Sequence, residues 1–179
     1  MNEIIKQNGI KFGIIGGLIN IAIVLGIYLT DYKLFASSGI GLISLIASVA
    51  ISISLFIVTK KQLNGQLSFK EGFTTYFIYT INSIAIATLF QILLYNVIDP
   101  ELKAKVTEIV IEKTAEMMKS ISGSNEILKD TIKKLKEEDS FSVGNQIFGA
   151  VWTLALSCIW GLILAAIFKS KTNNSPFNQ

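Results

Sequence analysis

Four blocks of the chain, Phe12 to Thr30, Ala36 to Thr59, Gly72 to Ile98 and Ser140 to Phe168, contain no Asp, Glu, Lys or Arg. Each is close to or longer than the ~20 apolar residues that a helix needs to cross hydrocarbon. The pattern therefore predicts four membrane spans, at about residues 10–30, 37–59, 72–98 and 142–168. The Thr30-to-Phe35 connection is so short that the second span must return antiparallel beside the first. In the polar segment that follows, Asn64-Gly65 suits a tight turn with positive φ. Ser68-Phe69-Lys70-Glu71 then has the S-x-x-E spacing of a capping box, in which Ser68 and Glu71 satisfy the free amides at the start of the third span. That span stops at Asp99-Pro100-Glu101, where Asp is a good N-cap and Pro is suited to the first helical position.

Residues 99–139 change period. Leu102, Val106, Ile109, Val110, Met117 and Ile121 recur at helical spacings, Ser122-Gly123-Ser124-Asn125 breaks the run, and Leu128, Ile132 and Leu135 continue it. The reading is an extracytoplasmic helical hairpin inserted between spans three and four, with these apolar residues as its seam. At ~1.5 Å per residue the first helix is ~30 Å long and the second ~20 Å. Part of the longer one is therefore expected to stay uncovered by its mate and to meet the bilayer surface, a second copy or another protein, and the segment's eight lysines against ten acids favour protein contact. Residues 172–179 read as a disordered tail. The whole is an all-α membrane four-helix bundle forming a single membrane domain over residues 1–179.

Charge sets an orientation. Lys6, Lys11, Lys60, Lys61, Lys70, Lys169 and Lys171 lie at one end of the spans against Glu3 and Glu71, while the other end holds nine lysines against eleven acids. Lysine-rich loops stay inside, so both termini are expected to be cytoplasmic. Lys6 and Lys11 before an apolar run, with Ala36-Ser37-Ser38 beyond it, loosely suggest a cleavable leader. The run is about 18 residues, longer than the ~7–15 of a leader core, so it is read as a retained first span.

Composition mainly excludes. Charged residues make up 16% of the 179-residue chain, well below the ~25% of soluble domains. With no histidine, Ser-His and Cys-His nucleophiles and His-ligated zinc are ruled out. No span carries Asp or Glu, so intramembrane aspartyl chemistry and carboxylate proton relays are ruled out as well. Cys158 is the single cysteine and reads as a core residue. Every basic residue is lysine, which argues against nucleic-acid binding. No catalytic, cofactor-binding or metal-binding residue is nominated, and no cofactor is expected.

Two patterns could carry function. Gly9, Gly13 and Gly17 recur every four residues on the first span; Gly41, Ser44, Ser48 and Ser52 do so on the second, and Gly149, Thr153, Ser157 and Gly161 on the fourth. Small residues at that spacing let helices approach closely, first within the bundle and alternatively in a dimer or partner interface. Asn20, Asn82, Gln91 and Asn96 are uncharged polar residues inside spans. With Tyr79, Thr80, Ser83 and Thr88, also on the third span, they should face the bundle interior, as interhelical hydrogen bonds or as the lining of a pathway or a small-molecule site. Trp152 and Trp160 read as packing or interfacial residues, and Lys60 and Lys61 could touch anionic headgroups.

Lys61, Gly65, the run Leu67-Ser68-Phe69-Lys70-Glu71-Gly72-Phe73 and the run Val97-Ile98-Asp99-Pro100-Glu101 resemble recurring blocks of a bacterial four-span membrane family, domain of unknown function 4199. The resemblance extends over nearly the whole chain. It implies a Bacteroidota-type bacterium and an inner-membrane location, and it carries over no activity, cofactor or catalytic residue. The expectation is thus a non-enzymatic scaffold or accessory subunit, with the bilayer and a homo-oligomer or membrane-protein partner as its contacts. The alternative is a component of a small channel or transporter with a polar pathway along the third span.

Overall fold

The computed structural model describes residues 2–120 and 125–170, with side chains except those of Ser38 and residues 119–128. Its elements are α1 (Glu3–Thr30), a short 3-10 helix (Tyr32–Ala36), α2 (Ser38–Gln62), α3 (Phe69–Leu93) continuing as a π-helical turn (Leu94–Ile98), α4 (Leu102–Ser120), α5 (Asn125–Glu137) and α6 (Val143–Phe168). Helices α1, α2, α3 and α6 are each long and apolar enough to cross a bilayer. Leu42, Ile46, Phe148, Val151 and Trp152 on their outer faces are exposed, as lipid-facing side chains must be.

The first three helices outrun the blocks that predict them, because the flanking charges sit at polar helix ends and do not interrupt the hydrogen-bond ladder. Helix α1 starts seven residues earlier than expected. The Asn2 side chain accepts from the Ile4 amide at 3.0 Å, with Glu3 favourably placed in the first turn. Helix α2 carries Lys60 and Lys61 in its last turn. The capping box at α3 is present in both directions, with Ser68 Oγ accepting from the Glu71 amide at 3.2 Å and Glu71 Oε2 accepting from the Ser68 amide at 3.0 Å. Asn64 and Gly65 both have positive φ, as the turn between α2 and α3 requires.

Helices α1 and α3 run parallel and make the most extensive contact; α3 packs next on α6, and α2 lies against α1 and, less extensively, α6. The two ends of the bundle differ. At the terminal end, which holds the N-terminus and the α2–α3 turn, Leu55, Phe56, Leu67, Tyr76, Tyr79, Leu164 and Ala165 form a buried core. Phe56 and Phe168 stack at 5.3 Å. Asn8, itself buried, donates to Thr59 Oγ1 at 3.1 Å and Gln62 Oε1 at 2.7 Å, fastening α1 to α2. The chain beyond α6 is fastened too: Lys60 Nζ donates to the Phe168 carbonyl at 2.9 Å, and Ser170 N and the Leu67 carbonyl pair at 2.8 Å.

At the hairpin end a second core joins Val24, Leu94 and Tyr95 to Leu102 and Val106, with Phe35 and Phe141 against it. Tyr95 and Phe141 rings lie 4.4 Å apart. The expected hairpin seam therefore divides. Leu102 and Val106, at 2% and 3% exposure, pack on the bundle and not on α5. The 3-10 helix and the π turn bring Phe35 and Tyr95 to meet them, so the first turns of α4 pack on the bundle. Ile109, Val110, Ile132 and Leu135 are half-buried and Met117 is exposed. The side chain of Leu128, that of Ile121 and the tail 172–179 lie outside the described residues.

Candidate functional site

The glycines separate a closed end from an open one. A Cβ on Gly9 would fall 2.7 Å from Ile78 Cβ, one on Gly13 2.6 Å from Asn82 Cβ and one on Gly17 2.7 Å from Ile86 Cβ, so this stripe lies directly on α3. Gly161 is equally tight against the Tyr76 ring. By contrast, Gly41 on α2 and Gly149 on α6 have nothing within 4 Å of a built Cβ. The small-residue stripes of α2 and α6 thus start in open space at the hairpin end and reach close contact only towards the terminal end. There Ser52 is buried and accepts from Trp160 Nε1 at 3.4 Å.

Between those divergent halves lies a crevice. One part, about 630 Å³, is walled by α2 (Leu45, Ser48), α3 (Tyr79, Ser83) and α6 (Thr153, Ser157). A second, about 390 Å³, continues between α3 and α6 towards the hairpin, past Gln91 to Gln146. A third, about 270 Å³, opens beside Ser44 and Gly41. Asn20 of α1 is on the wall of all three. Tyr76 and Tyr79, both buried and with rings 5.6 Å apart, separate the crevice from the terminal-end core.

The four nominated amides behave differently. Asn82 and Asn96 donate to the carbonyls one turn back on their own helix, Ile78 at 2.8 Å and Ile92 at 3.0 Å, and Asn96 reaches the Phe141 carbonyl as well. Only Asn20 and Gln91 of the set line the crevice. Among the described residues, the buried side-chain oxygens and nitrogens without a partner are Asn20 Oδ1 and Gln146 Oε1, both on the 390 Å³ part. Leaving such an acceptor unpaired costs about 1–3 kcal/mol; both oxygens are buried against the protein, although their residues line the crevice.

Gln146 is the residue that sequence reading passes over. It is an amide in a charge-free block, the same signal that singles out Asn20, but it stands near the start of that block, where a polar side chain looks merely interfacial. Asn8, outside the first block as drawn, is missed for the same reason. Tyr79, Thr80 and Ser83, polar residues of the third span expected at the bundle interior, line the 630 Å³ part of the crevice.

A second, broad cleft of about 980 Å³ separates α4 from α5, rimmed by charges of both signs such as Lys103, Glu108, Lys136 and Asp139. Lys103 and Asp139 pair across it at 3.1 Å. No group of three or more Cys, Asp or Glu converges on a metal-sized site among the described residues.

Four long apolar helices around a crevice lined by uncharged polar groups define a polytopic α-helical membrane protein. The chain belongs to the family described as Protein of unknown function (DUF4199), whose model matches residues 11–170. No curated protein and no solved structure matches it.

Proposed function

We propose that the protein is a non-enzymatic accessory subunit of the bacterial inner membrane that engages a membrane-protein partner or a second copy through its α4–α5 hairpin. The lysine imbalance supports cytoplasmic termini and an extracytoplasmic hairpin. The observation that carries the reading is how the hairpin is rooted. Leu102 and Val106 anchor the base of α4 in the bundle, and the Asp99 side chain caps it by accepting from the Leu102 amide at 3.2 Å. Val110 packs on the same core, and α4 continues beyond it to Ser120, a further ~15 Å, with Met117 exposed, so the hairpin offers its distal surface from a fixed base. A rigid projection keeps the entropic cost of docking low.

The test is photocrosslinking in cells from Met117 on α4 and Lys133 on α5, both exposed, with native mass measurement of the purified protein. Adducts to a second copy or to one recurrent membrane protein support the reading. Crosslinks to lipid alone, together with a monomeric mass, remove it.

A channel or transporter component is the second reading, favoured by Asn20 and Gln91 meeting on one crevice. It draws no support from Asn82 or Asn96, whose amides are spent on backbone carbonyls.

A further inference from the structure

The crevice changes character along its length. The surface of its 630 Å³ part is mainly apolar, through Leu45, Val49, Leu156 and Trp160, and suits hydrocarbon. In the 390 Å³ part between α3 and α6, polar and apolar surface are nearly equal, and polar residues such as Asn20, Thr88, Gln91, Asn145 and Thr153 outnumber apolar ones. No Asp, Glu, Lys or Arg is among them. The Asn20 and Gln146 oxygens are buried against the protein, and Gln146 Nε2 is engaged by the Phe141 carbonyl at 2.7 Å. The groups left to this part are the Asn20 amide nitrogen, the Gln91 amide and the Thr88 hydroxyl, which have no hydrogen-bond partner among the described residues.

Depth makes those groups informative. Asn20 is nine residues from Lys11 and eleven from Asp31, ~14 and ~17 Å along α1, which places it near the middle of the ~30 Å hydrocarbon. The wall reaches the other way to Ser140, Phe141 and Asn145. There Asn145 Nδ2 donates to the Asp139 carbonyl at 2.9 Å, and the half-exposed Asp139 carboxylate pairs with Lys103 at 3.1 Å, so this end lies at the aqueous face. An acyl chain in the 390 Å³ part would leave the Gln91 amide and the Asn20 nitrogen unsolvated, a costly state in hydrocarbon. Water pairs with donors and acceptors alike, and at ~30 Å³ each about ten molecules fit.

We propose that the 390 Å³ part is a dead-ended aqueous vestibule, open on the hairpin side at Ser140 and Asn145 and hydrated as far as Asn20 near mid-bilayer. The Tyr76–Tyr79 pair and the terminal-end core stand beyond it, so the water stops there and a single copy offers no path across. The vestibule belongs to the bundle alone and is independent of any partner at the hairpin.

The test uses the full-length protein with Cys158→Ser in sealed, oriented vesicles and an impermeant, charged methanethiosulfonate. Thr88→Cys and Thr153→Cys place thiols on the vestibule wall, Leu89→Cys places one on a face that is 62% exposed to lipid, and Lys133→Cys reports which side of the vesicle carries the hairpin. With reagent on the hairpin side, the cysteines at 88 and 153 should react more than about tenfold faster than that at 89, because the reactive thiolate forms in water and is suppressed in apolar surroundings. With reagent on the other side both should stay protected. Adding Asn20→Leu and Gln91→Leu to Thr153→Cys should bring its rate down towards that at 89. If one wall variant fails to fold, the other carries the same test. Rates at 88 and 153 no faster than at 89, the result for a crevice filled by acyl chains, would overturn the proposal. So would modification from the terminal side, or an unchanged rate once both amides are removed.

Discussion

Gly13 of α1 lies so close to Asn82 of α3 that a methyl group on its Cα would stand 2.6 Å from Asn82 Cβ and 2.9 Å from the Tyr79 carbonyl. The backbone carbonyl cannot move aside without bending α3, so the parallel α1–α3 pair depends on that missing side chain. Gly13→Ala should destabilise the protein in detergent by about 1–3 kcal/mol, the usual cost of overpacking. Gly41→Ala, with open space around the new methyl, should be neutral or stabilising by up to ~1 kcal/mol through helix propensity. Equal melting of the two variants would show that α1 and α3 do not approach at Gly13.

On α6 the comparison is between Gly161 and Ile163. Gly161 meets the Tyr76 ring, while Ile163 is 46% exposed on the lipid side. Thermal denaturation should show a large loss for Gly161→Leu and a change below ~1.5 kcal/mol for Ile163→Leu, a volume-conserving swap. Similar curves would place Gly161 on a free face.

The Asn8 amide bridges Thr59 and Gln62 in the terminal-end core. A double-mutant cycle of Asn8→Ala and Thr59→Val should return a coupling of about 0.6–2 kcal/mol, the range for interhelical hydrogen bonds in membranes. A coupling near zero would mean that the amide is satisfied elsewhere.

How much of this was legible in the sequence depends on the range of the physics involved. Local signals translate directly: the charge-free blocks became four long helices, Ser68 and Glu71 made the capping box, Asn64 and Gly65 took positive φ, and Asp99 capped α4. The small-residue stripes identify faces capable of close approach, but periodicity cannot say where along a helix the approach occurs. Gly9, Gly13 and Gly17 found α3, whereas Gly41 and Gly149 found open space. The division depends on how α2 and α6 diverge, a tertiary quantity with no local trace. For the same reason periodicity assigns Leu102 and Val106 to one seam with Ile132 and Leu135, although the π turn at Leu94–Ile98 carries Tyr95 to them.

Orientation is open to direct chemistry. In a Cys158→Ser background, single cysteines at Lys61, beside the α2–α3 turn, and at Lys133, exposed on α5, are treated in sealed, oriented membrane vesicles with an impermeant thiol reagent. The lysine distribution predicts modification at 133 only. Labelling at 61 with protection at 133 would invert the topology.

The most direct test of a bundle closed at the terminal end and open towards the hairpin compares two positions eight residues apart on α3. Thr75 is 1% exposed in the closed core, and Ser83 is on the wall of the crevice. Each is replaced by cysteine in the Cys158→Ser background, and the rate of reaction with a small membrane-permeant maleimide is followed in native membranes. The structure predicts that the cysteine at 83 reacts readily while that at 75 stays protected until the protein is denatured. Equal protection of both, or faster reaction at 75, would contradict it.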